Sequence, residues 1–390
     1  MPSDDCLRLQ VMEERQAERL AMIGLHAVPG LGLQRLEALL RLAGCAQAAA
    51  EDLAKWGREM RPRWNQQVSV REVRERGEHQ LEQAAKHGAI ILCRGEPGYP
   101  AVLEHLKQPP PVLHVAGDLQ RLPGSANPSL PAEGTRRISM IGARGCTPYG
   151  KEQVRRFAHH FAWAGAVVVS GAARGIDLLG LSAALEVQGK VIAVLGSSLD
   201  CPYPNEAIPV LDYAAANQSL VLSEFPFGTS PRPGHFPRRN RLIAALGECT
   251  VVVQATCKSG TMNTVDWCMQ LNREVFAVPG PLQDHACSGT NQLIADGAQV
   301  ALSPEHVLAQ LEQSLLPEEM ADRPPVYQAL QDQDLSLAQL VQHCSMSLAQ
   351  VEDQVLELEL KGLVVRLPDG RYHPCGPDLE RKHRPRESKA

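Results

Sequence analysis

The stretch ISMIGARGCTPYGKEQVRRFAHHFAWAGAVVVSGAARGID, from Ile138 to Asp177, decides the fold. Its first run, Ile138 to Ile141, is short, apolar and closed by glycine, as a buried strand is. From Tyr149 to Trp163 the apolar residues Val154, Phe157, Ala158, Phe161 and Ala162 recur at helical spacing. A second β-branched run, Ala166 to Ser170, follows at once and ends in another glycine turn. Two strands joined through a helix specify a parallel pair, and hence an α/β domain.

The same texture continues on both sides. Further strands are expected over Ala89–Cys93, Val112–Val115, Val191–Leu195, Leu220–Ser223, Thr250–Gln254, Glu274–Val278 and Gln299–Leu302. These place an extended Rossmann-like, mostly parallel sheet domain over 87–315. Residues 1–86 carry no strand signal and read as a helical module of the SAM or helix-hairpin-helix kind. Its Pro29-Gly30-Leu31-Gly32 turn precedes Leu33, Leu36, Leu39, Leu40 and Leu42, the stripe of an amphipathic helix. Such a turn either holds a phosphate on its backbone N–H groups or serves as a tight connection alone. The Pro/Gly/Ser-rich stretch 120–136 reads as a surface insertion and 316–325 as a linker. Residues 326–376 give three short amphipathic helices and two strands around Pro368-Asp369-Gly370, a winged-helix layout. The basic, apolar-poor tail 377–390 is expected to be disordered.

Composition narrows the functions. With 390 residues, 44% hydrophobic, and a formal net charge of −5, the chain does not read as a protein that coats an anionic surface. Any polyanion must meet a local patch. Eleven cysteines with no Cys-x-x-Cys pair and no His-x-x-x-His run point to neither a disulfide framework nor a zinc site. No run of eighteen apolar residues and no leader-like start occur, so a cytoplasmic protein without a membrane partner, metal or cofactor is expected.

Four glycine-bearing turns follow strands: 141–150, 170–177, 196–204 and 257–264. In an open parallel sheet ligands collect at such carboxyl ends, where turns lead into helix N-termini. Gly145 to Lys151 formally matches Gly-x-x-x-x-Gly-Lys, but Glu152 stands where a magnesium-nucleotide site needs a hydroxyl. ATP hydrolysis is therefore disfavoured. No Gly-x-Ser-x-Gly elbow is present, and Asp177, Asp200 and Glu224 show no pairing in sequence. Asp177 reads as a brace for the helix after it, and His159 and His160 as solvated or core-edge residues. Between Gly228 and Arg241 lie four arginines and no acid, around Phe236. The run either neutralises Glu224 and neighbouring carboxylates or faces a polyanion whose bases stack on Phe236.

Read together, GYPAVLEHLKQPPPVLHVAGDL, IGARGCTPYG, SGAARGID, VIAVLGSSLDCPYP, SEFPFGTSPRPGHFPRRNRLIAAL, SGTMNT, REVFAVPG and SGTNQLIADGA resemble, in order and spacing, the DNA-processing protein A (DprA/Smf) family over 98–301. The resemblance implies a non-enzymatic protein that binds single-stranded DNA, protects incoming strands in natural transformation and loads a RecA-type recombinase, usually as a homodimer. It maps DNA contacts onto Gly142, Ala143 and Arg144; onto Ser170, Gly171, Arg174 and Gly175; onto Phe236, Arg238, Arg239, Asn240 and Arg241; and onto Lys258, Ser259, Gly260 and Thr261. The chain departs from the family at Ala143 (serine), Leu181 (histidine) and Gln254 (glutamate), so phosphate contacts are expected to survive better than base contacts. Ser347 to Lys361 carries Glu352, Asp353, Glu357 and Glu359, which favours a protein-contact or dimer-support role for the winged helix over groove reading.

An enzymatic alternative comes from a second resemblance, to phosphoribohydrolases of the LOG type. Those carry a glutamate three residues after a Gly-Thr pair. Here Thr264 stands at that place after Gly260-Thr261.

Overall fold

The computed structural model describes residues 4–51, 53, 68–118, 136–315, 325–330, 334–344, 346–360, 364–367 and 370–374. It forms two compact units, 1–308 and 309–390. The expected insertion, linker and basic tail lie almost wholly outside the described residues.

The first unit starts with helices α1 (Asp4–His26), α2 (Leu33–Ala43), α3 (Ala46–Glu51) and α4 (Val70–Lys86). Most of the leucine stripe of α2 does what its spacing predicts: Leu36 and Leu39 pack with Leu25, Leu53 and Val73 in one core, while Leu42 is exposed. Ser69 and Glu72 form a capping box that starts α4, each satisfying the other's backbone N–H. This module is sealed onto the sheet. Ile23 and Ala84 share a second core with Ile91, Val112 and Phe227, and Arg19 donates to the Ile91 carbonyl at 2.7 Å.

The sheet has nine strands: β1 (Ala89–Cys93), β2 (Val112–Gly117), β3 (Arg137–Gly142), β4 (Val167–Ser170), β5 (Lys190–Leu195), β6 (Leu220–Ser223), β7 (Cys249–Gln254), β8 (Glu274–Ala277) and β9 (Gln299–Val300), in the order β1-β2-β6-β5-β4-β3-β7-β8-β9. From β6 to β9 all neighbours are parallel, while β1 and β2 close one side antiparallel. Around it run α5 (Pro148–Trp163), α6 (Ile176–Glu186), α7 (Ile208–Ala216), α8 (His235–Leu246), α9 (Thr261–Gln270) and α10 (Ser288–Ala295), and α11 (Pro304–Leu315) contains the division between the two units. Strands β4, β6 and β7 are buried at every residue, which is why they read as continuous apolar runs rather than alternating ones.

The chain winds outward from β3 through β4 and β5 to β6, then returns to place β7 on the other side of β3. That reversal is the switch point of the sheet. There the β3–β7 register shifts between Ile141 and Gly142, and the strand ends stay joined through the Ala143 N–H on the Gln254 carbonyl at 2.7 Å.

The second unit contains α12 (Pro325–Leu330), α13 (Leu337–Cys344), α14 (Leu348–Leu360) and the antiparallel pair β10 (Val364–Arg366) and β11 (Tyr372–Pro374). Tyr327, Leu340, Val351 and Tyr372 form its core. The expected winged helix is present.

Candidate nucleic-acid interface

A cleft of about 580 Å3 opens at the switch point. Gly142, Ala143 and Arg144 from the turn after β3, Phe236, Arg239 and Asn240 from α8, and Ser259, Gly260 and Thr261 at the start of α9 all line it. Nine of the sequence-expected residues are thus brought together by strands that lie side by side.

Several features make the cleft a place for an anion. Helix α9 begins at Gly260 without any side-chain cap, leaving first-turn N–H groups for a ligand; α8 also begins uncapped, at Gly234, but Pro237 has no N–H and the His235 N–H is taken by the Arg232 carbonyl. The Ser259 hydroxyl is buried and has no hydrogen-bond partner. Arg144 is exposed, with its guanidinium 5.6 Å from the centroid of Phe236. Phe236 in turn packs against Gly196, where a Cβ would sit 2.7 Å from its Cδ1, so a glycine is required beside the ring. The Tyr203 ring lies tilted beside it, with ring centroids 5.8 Å apart. A cation and two rings at the mouth of an amide-lined cleft suit a phosphate with a neighbouring base.

The other arginines behave differently. Arg239 is 3% exposed, and its guanidinium donates to the carbonyls of Gly171 and Val194. It packs so closely over Gly171 that a Cβ there would overlap its guanidinium. Burial lowers its pKa to about 10, with Asp177 opposing the shift. Arg239 therefore buttresses the cleft and lends it long-range charge, in place of the direct phosphate contact the sequence suggested. Arg241 is also 3% exposed: its Nη1 and Nη2 donate to the two oxygens of Glu224 at 2.7 and 2.8 Å. Arg238 donates to the same carboxylate at 2.7 Å and lies outside the cleft. For these two, the alternative reading of the run, neutralisation of Glu224, is what the structure contains. Burial alone would raise the Glu224 pKa, but Arg241 and Arg238 hold it below the usual value.

Ser170 is fully buried and donates to the Met140 carbonyl at 2.6 Å, so it braces β4 against β3 rather than facing a ligand. Gly171 and Gly175 belong to the turn behind the cleft. Arg174 and Lys258 are exposed but outside its lining, and Arg174 pairs with Glu206 at 2.8 Å. A pair this exposed holds little energy and exchanges readily.

Sequence reading gave Asp177 only as a brace for the helix after it, whereas its carboxylate lines the cleft. It accepts backbone N–H groups of Gly142, Gly171 and Ala173, clasping the first two turns together beside Arg239. Burial nevertheless raises its pKa to about 6, with Arg239 and those amides opposing. Its signal was an acid directly after Gly175-Ile176, too common a pattern to mean a clasp. Gln254, the departure at the end of β7, has a definite role: its Oε1 accepts from the Thr147 N–H at 2.9 Å and its Nε2 donates to Thr147 Oγ1 at 2.8 Å. It fixes the first turn where α5 begins.

Among the described residues no group of three or more metal-ligating side chains occurs, and no helix is long and apolar enough to cross a membrane. Asp177 is the one carboxylate lining this cleft among them, and it is held by three amides.

Comparison with known proteins agrees with the fold. The family model for DNA recombination-mediator protein A matches residues 90–312, and the DprA winged helix domain matches residues 309–370. Protein Smf of Synechocystis sp. is 31% identical over 333 residues, spanning 75% of this chain and 82% of the relative. The X-ray structure of DNA processing protein A from Streptococcus pneumoniae superposes with a TM-score of 0.58 at 28% identity, over 75% of this chain and 97% of that one. DNA processing protein A from Helicobacter pylori, a structure describing that protein's single-stranded DNA binding mode, gives a TM-score of 0.50 at 30% identity, over 58% and 96% of the two chains.

Proposed function

Because the chain belongs to the DNA recombination-mediator protein A (DprA/Smf) family, we propose that it binds single-stranded DNA in the switch-point cleft. The strand's phosphates rest on the α9 amides and Arg144, and a base stacks on Phe236. The observation that carries this reading is the convergence of the uncapped α9 start, an unpartnered Ser259 hydroxyl and an exposed Arg144 over a half-buried Phe236 on one cleft. Amides and guanidiniums do not distinguish bases, so binding is sequence-tolerant and salt-sensitive.

In the cell, the bound strand is passed to a RecA-type recombinase in the cytoplasm, with a homodimer as the working unit. No catalytic step is part of this role. The phosphoribohydrolase alternative lacks its acid, since Thr264, not glutamate, lines the cleft.

Fluorescence anisotropy with oligothymidylate tests the cleft. Arg144→Ala is expected to weaken binding and flatten the salt dependence by about 0.7 in log–log slope, the value for one lost phosphate contact on a single strand. Phe236→Ala is expected to cost about 1–3 kcal/mol of affinity. Undiminished binding by both variants, or release of base from nucleoside monophosphates, would overturn the proposal.

A further inference from the structure

Resting on that reading of the switch-point cleft, we propose that a second cleft, of about 770 Å3, carries the same strand onward between the N-terminal helices and residues 224–238. The two clefts share a wall. Pro233, Phe236 and Pro237 face the first, whereas Arg232, His235 and Arg238 face the second. A strand leaving the Phe236 ring therefore has one short segment of backbone to cross.

The acids on the second wall are already matched. Glu224 stands against two guanidiniums, Arg238 and Arg241. Glu75 pairs with Arg71 at 2.7 Å, and Glu72 accepts from Ser69 with Arg76 nearby. One guanidinium of the Glu224 triad is thus in surplus. Arg232 is exposed and forms no ion pair among the described residues. The lining sets Arg76, Arg232 and Arg238 against Glu72, Glu75 and Glu224, and with Arg71 and Arg241 paired to two of those acids the guanidiniums around the cleft outnumber its carboxylates.

Two polar atoms on this wall lack a partner. Arg76 Nε and His235 Nδ1 are both buried without a hydrogen bond. A buried donor left unpaired is costly, and a phosphate oxygen would satisfy Arg76. His235 is held in place by stacking on Phe225, with ring centroids 4.2 Å apart, while Arg238 lies 5.3 Å from the same ring. The far side is closed by the Pro29 to Gly32 turn. That turn offers backbone rather than side chains, as a sequence-neutral contact to a polynucleotide requires. The motif that sequence left between phosphate holder and simple connection thereby acquires a partner of stated chemistry, the sugar-phosphate backbone of a single strand.

Strand length separates the two clefts. In anisotropy titrations of the full chain with oligothymidylates of about 6 and about 20 nucleotides, lengths that bracket common single-strand site sizes, an Arg232→Glu/Arg76→Gln double variant is expected to bind the longer strand on the order of tenfold more weakly. Its salt slope should be shallower by about 1 to 2, and the short strand should bind as to wild type. Arg232→Glu alone, at an exposed position, provides the same comparison should the double variant melt early. Unchanged binding of the long strand, or equal loss on both lengths, would overturn the second cleft. Arg144→Ala should weaken both lengths; if it weakens neither, the reading of the first cleft is what fails.

Discussion

At the scale of single residues, the arginines of Gly228–Arg241 divide by what they touch. Arg241 and Arg238 meet a carboxylate with no exposure of its own, and removing one partner of a buried pair leaves an uncompensated charge. Glu224→Gln is therefore expected to destabilise the fold by about 3–5 kcal/mol, measured by denaturant titration, with DNA affinity at low temperature falling far less than in Arg144→Ala. A larger effect on binding than on stability would mean that Glu224 is not a structural counter-ion. Arg144 and Phe236 were legible in the sequence because both follow a glycine or proline turn at a strand or helix boundary. The fates of Arg239 and Arg241 were not legible, since their partners, Gly171, Val194 and Glu224, are brought in by other strands.

At the scale of elements, most strands were readable from short β-branched runs to within a residue or so. Two strands depart further: β2 runs on past Val115 to Gly117, and β9 ends at Val300, with Leu302 66% exposed. How the N-terminal helices meet the sheet was hidden. His26, at the end of α1, donates from Nε2 to the Glu224 carbonyl at 2.9 Å and stacks on His114 of β2 at 6.2 Å. Burial lowers the pKa of His26 to about 4 and of His114 to about 3. Both histidines ionise in the unfolded chain near pH 6.5 but stay neutral in the folded one. The unfolded state thus binds more protons between pH 6.5 and about 3–4, and stability must fall with pH across that window. Asp177, raised to about 6, opposes this by gaining its proton in the fold, yet over a narrower range. Thermal melts from pH 7.5 to 4.5 are expected to show a declining Tm, with a shallower decline in His114→Phe. A flat profile for wild type would sink this assignment.

At the scale of the whole molecule, the switch point sets where function can sit. Every residue lining the first cleft belongs to the unit 1–308. A chain ending at residue 315 is accordingly expected to bind single-stranded DNA within about twofold of the full chain, since it keeps every contact that neutralises a phosphate there. A much larger loss, read by anisotropy, would assign DNA contacts to the winged helix despite Glu352, Asp353, Glu357 and Glu359. By itself, the sequence determined the α/β class, the nine strands, the winged helix and the turns that carry the cleft, because periodicity and glycine placement are local properties of a chain. Only the tertiary structure decided which cations face solvent and which are spent on Glu224 or on carbonyls, that Asp177 clasps two turns, and that the Pro29–Gly32 turn closes a second cleft. Those outcomes depend on groups far apart in sequence meeting at one place, and no window of residues contains that information.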